Sequence, residues 1–335
     1  MYLLELAGED DAFAAREAAA VATDVTRLAP GLATARGVDT GTRGLAYTHR
    51  VSEYVGRADP AVESARALLK AASVERSGTV AVRARDVRGL AGVDTRAAER
   101  DLGSVLVDRG FAVDLDDPDH ELRAVFAADV CVLGWLDAES VRNFGDRQPT
   151  DRPFFQPGSM DPLLARGLAN IAGAGPGATI LDPMCGTGGV LIEAGLVGAD
   201  VLGVDAQPKM VQGAAENLKR FLTPAQSSAD LPDSGTWHTL RGDATALSLP
   251  DDAVDGTVFD APYGRQSKIA NQPLDDLVAG ALAEAHRVAP RAVVVADRSW
   301  DDAAREAGWR VTDRFERRVH RSLTRHVLVL ARANG

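Results

Sequence analysis

The segment Thr179-Ile-Leu-Asp-Pro-Met-Cys-Gly-Thr-Gly-Gly-Val-Leu-Ile-Glu193 decides the fold of this chain. A short apolar run of strand type ends at Asp182, a glycine-rich turn follows, and an apolar helical run comes next. Glycines at positions 186, 188 and 189 allow positive φ angles and a close approach of the backbone to a ligand. The turn has neither the spacing of a dinucleotide-binding fingerprint nor the Gly-Lys-Ser/Thr end of a P-loop. It therefore predicts a strand–turn–helix unit that either holds a ligand at its turn or is purely structural.

The segments around this unit alternate between strand and helix. Predicted strands cover residues 179–181, 200–204, 237–241, 254–259, 292–296, 309–317 and 326–330. Predicted helices cover 187–197, 208–221, 273–288 and 301–307. This alternation predicts an α/β fold with a doubly wound, Rossmann-like parallel sheet that binds ligands at the carboxyl ends of its strands. The last two apolar runs have no helix between them, which predicts a closing antiparallel hairpin.

The first part of the chain mixes short strands and helices in a less regular order. Its predicted elements are strand 1–6, helix 12–22, strands 31–35 and 44–47, helix 60–72, strand 79–85, helix 94–109 and strands 111–115 and 121–133. They predict two α+β units, at residues 1–55 and 56–140. The polar, proline-containing residues within 141–158 are typical of a linker, and residues 159–335 form the predicted third unit.

The composition predicts a water-soluble protein and resembles that of proteins from a high-salt cytoplasm; the alternative is a simply acidic protein that binds no nucleic acid. The net charge is −11, and 33 of the 37 basic residues are arginine. At molar salt the Debye length is about 3 Å, so an acidic surface does not prevent binding to a polyanion. Apolar runs stay well below the ~20 residues that cross a bilayer, and Cys131 and Cys185 lack metal-site spacing. With no signal-peptide pattern at the N-terminus, we expect a cytoplasmic, disulfide-free monomer with no membrane segment and no metal.

Two further carboxylates follow the second and third predicted strands of the last unit. Asp205 ends the second strand, where a carboxylate can accept hydrogen bonds from both hydroxyls of a ribose. The same residue can cap the helix that begins at Pro208, either instead of or in addition to binding a ribose. Gly242-Asp243-Ala244 ends the third strand, and Gly-Asp is also common in turns.

The loop Phe259-Asp-Ala-Pro-Tyr-Gly264 carries groups that can activate an amino nitrogen. An exocyclic amine on a base is a weak nucleophile because its lone pair is delocalised into the ring. Asp260 and the main-chain carbonyl of Ala261 or Pro262 can accept hydrogen bonds from the two N–H groups of this amine. These bonds would localise the lone pair on the nitrogen. Tyr263 offers an aromatic face on which a base can stack, worth about 1–3 kcal/mol. The alternative is a simple Pro-Tyr turn.

Two flanking segments belong to the same predicted site. The segment 152–161 contains Phe154, Phe155 and Pro157, and it either closes a ligand pocket or packs a linker against the sheet. The segment 317–325 carries four arginines and a histidine in nine residues. Beside a base pocket these side chains can hold phosphates, whereas a charge run elsewhere is usually a solvated face.

The segment 179–193 resembles motif I of the class I methyltransferases. The residues from Asp260 onward resemble the (Asp/Asn/Ser)-Pro-Pro-(Tyr/Phe) motif of amino-group methyltransferases, with Ala261 in place of the first proline. This resemblance implies S-adenosylmethionine as the cofactor and an exocyclic amine as the target. The implied cofactor-binding residues are Phe155, Pro157, Asp182, Cys185, Gly186, Thr187, Gly188, Asp205, Asp243 and Ala244. The implied catalytic residues are Asp260, Ala261, Pro262 and Tyr263.

Nearly the whole chain resembles the THUMP-containing RNA methyltransferases, most closely the archaeal tRNA guanine-10 N2-methyltransferase family. The additional matching segments are 80–85, 99–106, 112–119, 152–161 and 320–325. The resemblance implies a ferredoxin-like domain at 1–55, a THUMP RNA-binding domain at 56–140, and methylation of guanosine N2 in tRNA. The implied RNA-binding residues are Arg83, Arg85, Arg265, Arg318, Arg321 and Arg325, although Arg83 and Arg85 also fit a solvated strand edge.

Other classes of protein share parts of this pattern. N-methyltransferases acting on another RNA or DNA base, or on a protein glutamine, use the same loop chemistry and remain alternatives. The first half is small for a domain that reads DNA base edges. A non-catalytic RNA-binding protein is disfavoured by the intact residues Asp182, Asp205, Asp243, Asp260 and Tyr263. A nicotinamide dehydrogenase is disfavoured because an aspartate precedes the glycine turn.

Overall fold

The computed structural model describes residues 1–223, 228–263, 273–320 and 323–333. The chain divides into two compact units, Met1–Ser140 and Val141–Gly335. Where the sequence predicts a linker at 141–158, the second unit has a packed segment with two short 3-10 helices, Phe144–Arg147 and Pro149–Asp151.

The first unit is an α+β unit built on one eight-stranded sheet. Its elements are β1 Tyr2–Leu6, α1 Asp11–Ala18, β2 Ala22–Thr23, β3 Thr26–Ala29, β4 Leu32–Ala35, β5 Gly37–Val38, β6 Thr48–Ala58, α2 Val62–Ala71, β7 Thr79–Asp86, α3 Thr95–Val107, β8 Ala112–Val113, β9 His120–Ala127 and β10 Val130–Glu139. The sheet order is β3-β4-β1-β6-β10-β9-β7-β8, and β2 pairs separately with β5. One hydrophobic cluster joins the buried faces of α2 and α3 to residues of β7, β9 and β10.

Strand β6 crosses the predicted domain boundary at residue 55. It pairs with β1 on one side and with β10 on the other, both in antiparallel register. The sheet is therefore continuous from the first strand to the last of this unit. The division into domains at 1–55 and 56–140 stays a prediction.

The predicted single strand at 121–133 is wrong. Two strands, β9 and β10, form an antiparallel hairpin there, with Val130 opposite Ala127. Ala128 makes the turn with φ of +44°. A non-glycine residue in this region is uncommon, so the sequence carries no glycine or Asn-Gly signal for the turn.

The second unit confirms the α/β prediction. Its elements are α4 Pro162–Ile171, β11 Thr179–Asp182, α5 Gly189–Leu196, β12 Asp200–Asp205, α6 Pro208–Phe221, β13 Trp237–Arg241, β14 Gly256–Asp260, α7 Leu274–Val288, β15 Arg291–Ala296, α8 Asp301–Glu306, β16 Trp309–His320 and β17 Leu323–Arg332. The sheet order is β13-β12-β11-β14-β15-β17-β16. Strands β11 to β15 pair in parallel, and β17 pairs antiparallel with both β15 and β16 as the predicted hairpin requires.

The strand order reverses direction between β11 and β14. The chain moves outward from β11 through β12 to β13, then returns to place β14 on the other side of β11. In open parallel sheets such a reversal creates a crevice at the carboxyl ends of the two strands, where ligands bind. Asp182 ends β11 and Asp260 ends β14, so both carboxylates lie at this crevice.

Helix α4 is the one long element of the second unit that the sequence interpretation missed among the described residues. Asp161 caps it by accepting hydrogen bonds from the Leu163 and Leu164 N–H groups, and Pro162 occupies its first turn. An aspartate before a proline and an apolar run is a helix-start signal, so this helix was detectable. In the described ranges, no helix has both the length and the apolar character needed to cross a membrane.

Candidate active site

The glycine turn forms one wall of a cavity of about 230 Å³. Gly186 has φ of +50° and Gly188 has φ of +76°, and Gly188 begins α5 in the left-handed conformation. A Cβ atom added to Gly186 would meet no atom within 4 Å, so a side chain there would occupy the space that the turn leaves open. The residues that line the cavity are Gln156, Pro157, Gly158, Ser159, Met160, Asp182, Met184, Cys185, Gly186, Thr187, Gly189, Val190, Met210 and Asp260.

Asp182 places a buried carboxylate in the wall of this cavity. The residue is 3% exposed and accepts a hydrogen bond from the Met184 N–H at 3.0 Å. Burial raises the pKa of Asp182 well above its ordinary value, and the charges of Asp205 and Asp260 add to the rise. A cationic group bound in the cavity would restore the charged form of this side chain.

Asp205 holds the glycine turn from the neighbouring strand. One carboxylate oxygen accepts from the Gly186 N–H at 3.1 Å and the other from the Gln207 N–H at 2.8 Å. The N-cap position of α6 belongs to Gln207, so Asp205 is not the helix cap that the sequence left as an alternative. Its contribution is to fix the backbone of the turn at residue 186.

The loop after β14 forms a three-residue network at the cavity edge. The Tyr263 hydroxyl donates to Asp260 Oδ1 at 2.6 Å, and Arg325 Nε donates to the Tyr263 oxygen at 3.0 Å. Arg325 Nη2 lies 3.7 Å from Asp260 Oδ2. Burial raises the pKa of Asp260 to about 6, although Arg325 and the Tyr263 hydroxyl act in the opposite direction. Burial and the charge of Asp260 raise the pKa of Tyr263, which therefore remains a hydroxyl donor at neutral pH.

Ala261 stabilises this loop in a way that proline could not. The residue is 2% exposed, and its N–H donates to the Val295 carbonyl of β15 at 2.7 Å. Proline has no N–H and would lose this bond. The alanine thus exchanges the stiffness of a proline ring for a hydrogen bond to the adjacent strand, and its carbonyl is retained.

The structure separates the predicted residues of the third strand from the cavity. Asp243 is exposed and accepts from both the Thr245 N–H at 2.9 Å and the Thr245 hydroxyl at 2.8 Å. Ala244 packs into the hydrophobic cluster beside α7. Neither lines the cavity, and the geometry at Asp243 is that of an Asx turn. Their cofactor contacts stay a prediction.

Some residues of the segment 152–161 line the cavity, and others pack the segment against the rest of the second unit. Pro157 lines the cavity, and the Ser159 hydroxyl, also in the lining, hydrogen-bonds to the Thr187 hydroxyl at 3.2 Å. Phe154 instead packs on α6, where its backbone exchanges hydrogen bonds of 2.9 and 2.8 Å with the Asn217 amide. Phe155 is 42% exposed and is not part of the cavity lining, so its predicted contact with a ligand is not supported by this geometry.

The predicted RNA-binding arginines have different surroundings. Arg83 donates to the Leu115 carbonyl, and Arg85 pairs with the buried Glu5 at 3.2 Å, so both hold parts of the first unit together. Arg318 is exposed on β16, while Arg325 is 5% exposed and faces the cavity edge rather than the solvent. Arg265 and Arg321 lie outside the described residues.

A buried ion cluster behind the glycine turn was missed by the sequence interpretation. Glu193 of α5 is fully buried; its Oε1 accepts from Arg147 Nε at 2.7 Å, and its Oε2 forms an ion pair with Arg166 Nη2 at 2.8 Å. Arg152 donates to the Arg147 carbonyl at 3.1 Å and packs so closely on Gly189 that a Cβ there would lie 2.7 Å from its Nη1. The available signal was a lone glutamate within the apolar run of α5, because such a residue is rarely buried without a partner.

The family described as "RMKL-like, methyltransferase domain" matches residues 149–326. The matched region is more than half of the chain and contains the glycine turn, the loop after β14 and Arg325. The chain belongs to this methyltransferase family. Asp182 and Asp260, two residues that the sequence assigns to methyl transfer, line the cavity at the carboxyl ends of β11 and β14, and their roles stay predictions.

Two relatives of this methyltransferase carry the same name. The chain is 36% identical over 296 residues to the tRNA (guanine(10)-N2)-dimethyltransferase of Methanothermobacter thermautotrophicus, covering 86% of this chain and 83% of that protein. It is 30% identical over 258 residues to the protein of the same name from Pyrococcus abyssi, covering 76% and 74%. Among solved structures, TrmN from Thermus thermophilus aligns over 99% of both chains with 22% identity and a TM-score of 0.48.

Proposed function

We propose that this methyltransferase transfers methyl groups from S-adenosylmethionine to the exocyclic N2 of guanosine in tRNA, at position 10. The observation that carries the proposal is the single cavity that Asp260 and Asp182 share at the strand-order reversal. The 36% identity to a tRNA guanine-10 dimethyltransferase over most of both chains supports the choice of base and RNA. The first unit would hold the tRNA.

The residues of the cavity fit the methionine half of S-adenosylmethionine. The buried carboxylate of Asp182 suits an ammonium group, and the glycine turn exposes backbone without side chains. Asp205, at the end of β12, holds the glycine turn and would accept from the ribose hydroxyls through the remaining lone pairs of its carboxylate. Met184 and Met210 supply apolar surface in the lining. When bound, this cofactor supplies an electrophilic methyl group whose transfer breaks a C–S bond, forms a C–N bond and releases one proton from nitrogen.

The protein's contribution is to orient the amine and stabilise developing charge. Asp260 would accept a hydrogen bond from one N–H group of the target amine. Its negative charge would stabilise the positive charge that develops on the nitrogen during transfer. The carbonyl of Ala261 or Pro262 would accept the second N–H. Tyr263 would stack on the base, with its hydroxyl held by Asp260 and Arg325. With a pKa of about 6, Asp260 is charged at neutral pH and can take the proton after transfer.

The pKa of Asp260 predicts an acid limit of activity. Because the charged carboxylate is the active form and its pKa is about 6, the rate should fall as the pH drops through 6 and approach a tenfold loss per pH unit below it. Above that pH the rate should level off. Single-turnover methylation between pH 5 and 8.5, at fixed ionic strength, tests this expectation. An acid limb near pH 4, the ordinary range of an aspartate, would contradict it.

Replacing Asp182 by asparagine should weaken cofactor binding. The substitution keeps the side-chain shape but removes the charge that would pair with the cofactor ammonium, and a hydrogen bond to a charged group contributes about 1.5–3 kcal/mol. The dissociation constant measured by calorimetry should rise by about 10- to 100-fold. Asp233→Asn, on an exposed loop residue, is the matched control and should bind normally. Equal affinities for the two variants would remove Asp182 from the cofactor site.

Nucleoside mass spectrometry tests the function as a whole. Purified protein, labelled S-adenosylmethionine and unmodified tRNA transcripts would be incubated in molar salt. We expect label in N2-methyl- or N2,N2-dimethylguanosine at position 10. Label elsewhere in the tRNA would keep the chemistry and overturn the site. If the protein binds the cofactor but the tRNA carries no label, the assignment of tRNA as the substrate is wrong.

A further inference from the structure

Arg325 reaches the active site from the strand that comes last in the chain. In the sheet, β17 lies between β15 and β16, and His326 pairs with Ala296, the final residue of β15. Arg325 is therefore one residue beyond the carboxyl end of β15, at the edge where β14 ends in Asp260. It is 5% exposed, which is unusual for an arginine without strong partners.

The guanidinium of Arg325 connects β17 to two other segments of the second unit. Its Nε donates to the Tyr263 hydroxyl oxygen at 3.0 Å, and its Nη2 donates to the Gly158 carbonyl at 3.3 Å. The same Nη2 lies 3.7 Å from Asp260 Oδ2. Asp260 and Tyr263 belong to the loop after β14, and Gly158 belongs to the segment that lines the cavity.

This arrangement depends on the shape of the guanidinium as well as on its charge. The planar fork presents N–H groups in two directions at once, so one side chain can serve a hydroxyl, a carbonyl and a carboxylate. A lysine at the same position carries the charge on one compact ammonium and cannot span these partners. Arginine therefore fits the contacts at position 325, and lysine does not.

We propose that Arg325 is a positioning residue of the methyl-transfer reaction. It fixes the Asp260 carboxylate and the Tyr263 ring relative to each other and ties both to the cavity wall at Gly158. The role previously predicted for it, a phosphate contact, needs an exposed guanidinium, and this one is buried against the catalytic loop. The inference rests on the proposed function and adds a residue to its machinery.

The charges around Asp260 give this role a measurable signature. Two other carboxyl groups lie near Asp260: Asp182 ends the adjacent strand β11, and Asp297 follows β15. A negative charge on either one disfavours a negative charge on Asp260. Among the described residues, Arg325 is the cation within ion-pair distance of Asp260. It lowers the pKa of Asp260 against burial and against Asp297, so its removal should raise that pKa further. The acid limb of the rate should then move to higher pH.

The test compares Arg325→Gln and Arg325→Lys with Arg310→Gln, which removes an exposed positive charge from the other end of the same hairpin. For Arg325→Gln we expect kcat to fall by about 10- to 100-fold, since small misplacements of reacting groups have effects of this size. KM for tRNA and the cofactor dissociation constant should stay within about twofold, and the acid limb should move up by about one pH unit or more. Arg325→Lys should restore the acid limb but only part of kcat. Arg310→Gln should match the parent protein.

The outcomes separate the two proposals. A parent protein that methylates no guanosine would overturn the proposed function, and the role of Arg325 would fall with it. With an active parent, an Arg325→Gln variant that raises KM for tRNA in a salt-dependent way, at unchanged kcat and acid limb, would mark a phosphate contact and overturn the positioning role. Cofactor affinity and the thermal midpoint report whether the glutamine variant is folded. If it is not, the kcat and pH profile of Arg325→Lys decide the matter, and a lysine variant with full kcat would overturn the proposal.

Discussion

Replacing Asp260 by alanine is expected to remove methyl transfer and to leave the fold and cofactor affinity close to those of the parent protein. The side chain is 27% exposed and ends a strand, so its loss opens no cavity in the core. What disappears is the carboxylate that orients the amine and balances the growing positive charge. Removal of one preorganised electrostatic partner lowers kcat by about 100- to 1000-fold in other enzymes.

The measurement is single-turnover methylation of tRNA, combined with calorimetric binding of the cofactor. Asp302→Ala is the control, because this aspartate has a side chain that is 93% exposed. Asp260→Asn provides a second comparison, since it keeps the size of the side chain but lacks the charge. Activity in Asp260→Ala within tenfold of the parent protein would refute the mechanism.

Among the substitutions proposed for this protein, Glu193→Ala should lower the free energy of unfolding the most. Its carboxylate accepts a hydrogen bond from Arg147 and forms an ion pair with Arg166, and all three side chains are at most 5% exposed. Deleting the carboxylate leaves two buried guanidinium groups without their counter-charge, and breaking a buried pair in this way is worth about 3–5 kcal/mol. In a unit of this size the thermal midpoint should fall by about 6 to 20 °C.

Thermal unfolding of Glu193→Ala and of Glu216→Ala would check this expectation. Glu216 is an exposed glutamate on α6, and its loss should change the free energy of unfolding by less than about 0.5 kcal/mol. Salt provides a second criterion. Exposed ion pairs are screened in molar salt and buried ones much less, so the loss in Glu193→Ala should persist there. A destabilisation that vanishes at high salt would mean that this cluster is hydrated.

The order of strands and helices in the second unit was predictable because apolar periodicity and turn glycines report local structure directly. The strand–turn–helix at 179–193 and the closing hairpin both followed from such patterns. The turn at Ala128 was not predictable, because its positive φ is imposed by pairing between β9 and β10 rather than by a permissive residue. Strand β6 was also missed, since its mixed polar sequence is stabilised by neighbours on both sides.

The candidate site could be predicted where its groups lie close together in the sequence. Asp260 and Tyr263 are three residues apart, and the glycine turn is contiguous with Asp182. Arg325 was recognised only as a basic residue, because its contact with Tyr263 joins positions 62 residues apart. Glu193 was missed for the same reason, since its partners come from a segment that looked like a linker.

The position of β17 has a consequence for synthesis of this protein on the ribosome. The growing chain presents Asp182, Asp205 and Asp260 one after another, while β15 still has an unpaired edge. In the part of the chain that the structure describes, β17 covers that edge, and the same strand carries the guanidinium of Arg325. A nascent polypeptide that has not yet emerged to this point has an unfinished sheet and an untethered Asp260. Enzymatic competence should therefore arise only after β17 has emerged and paired with β15.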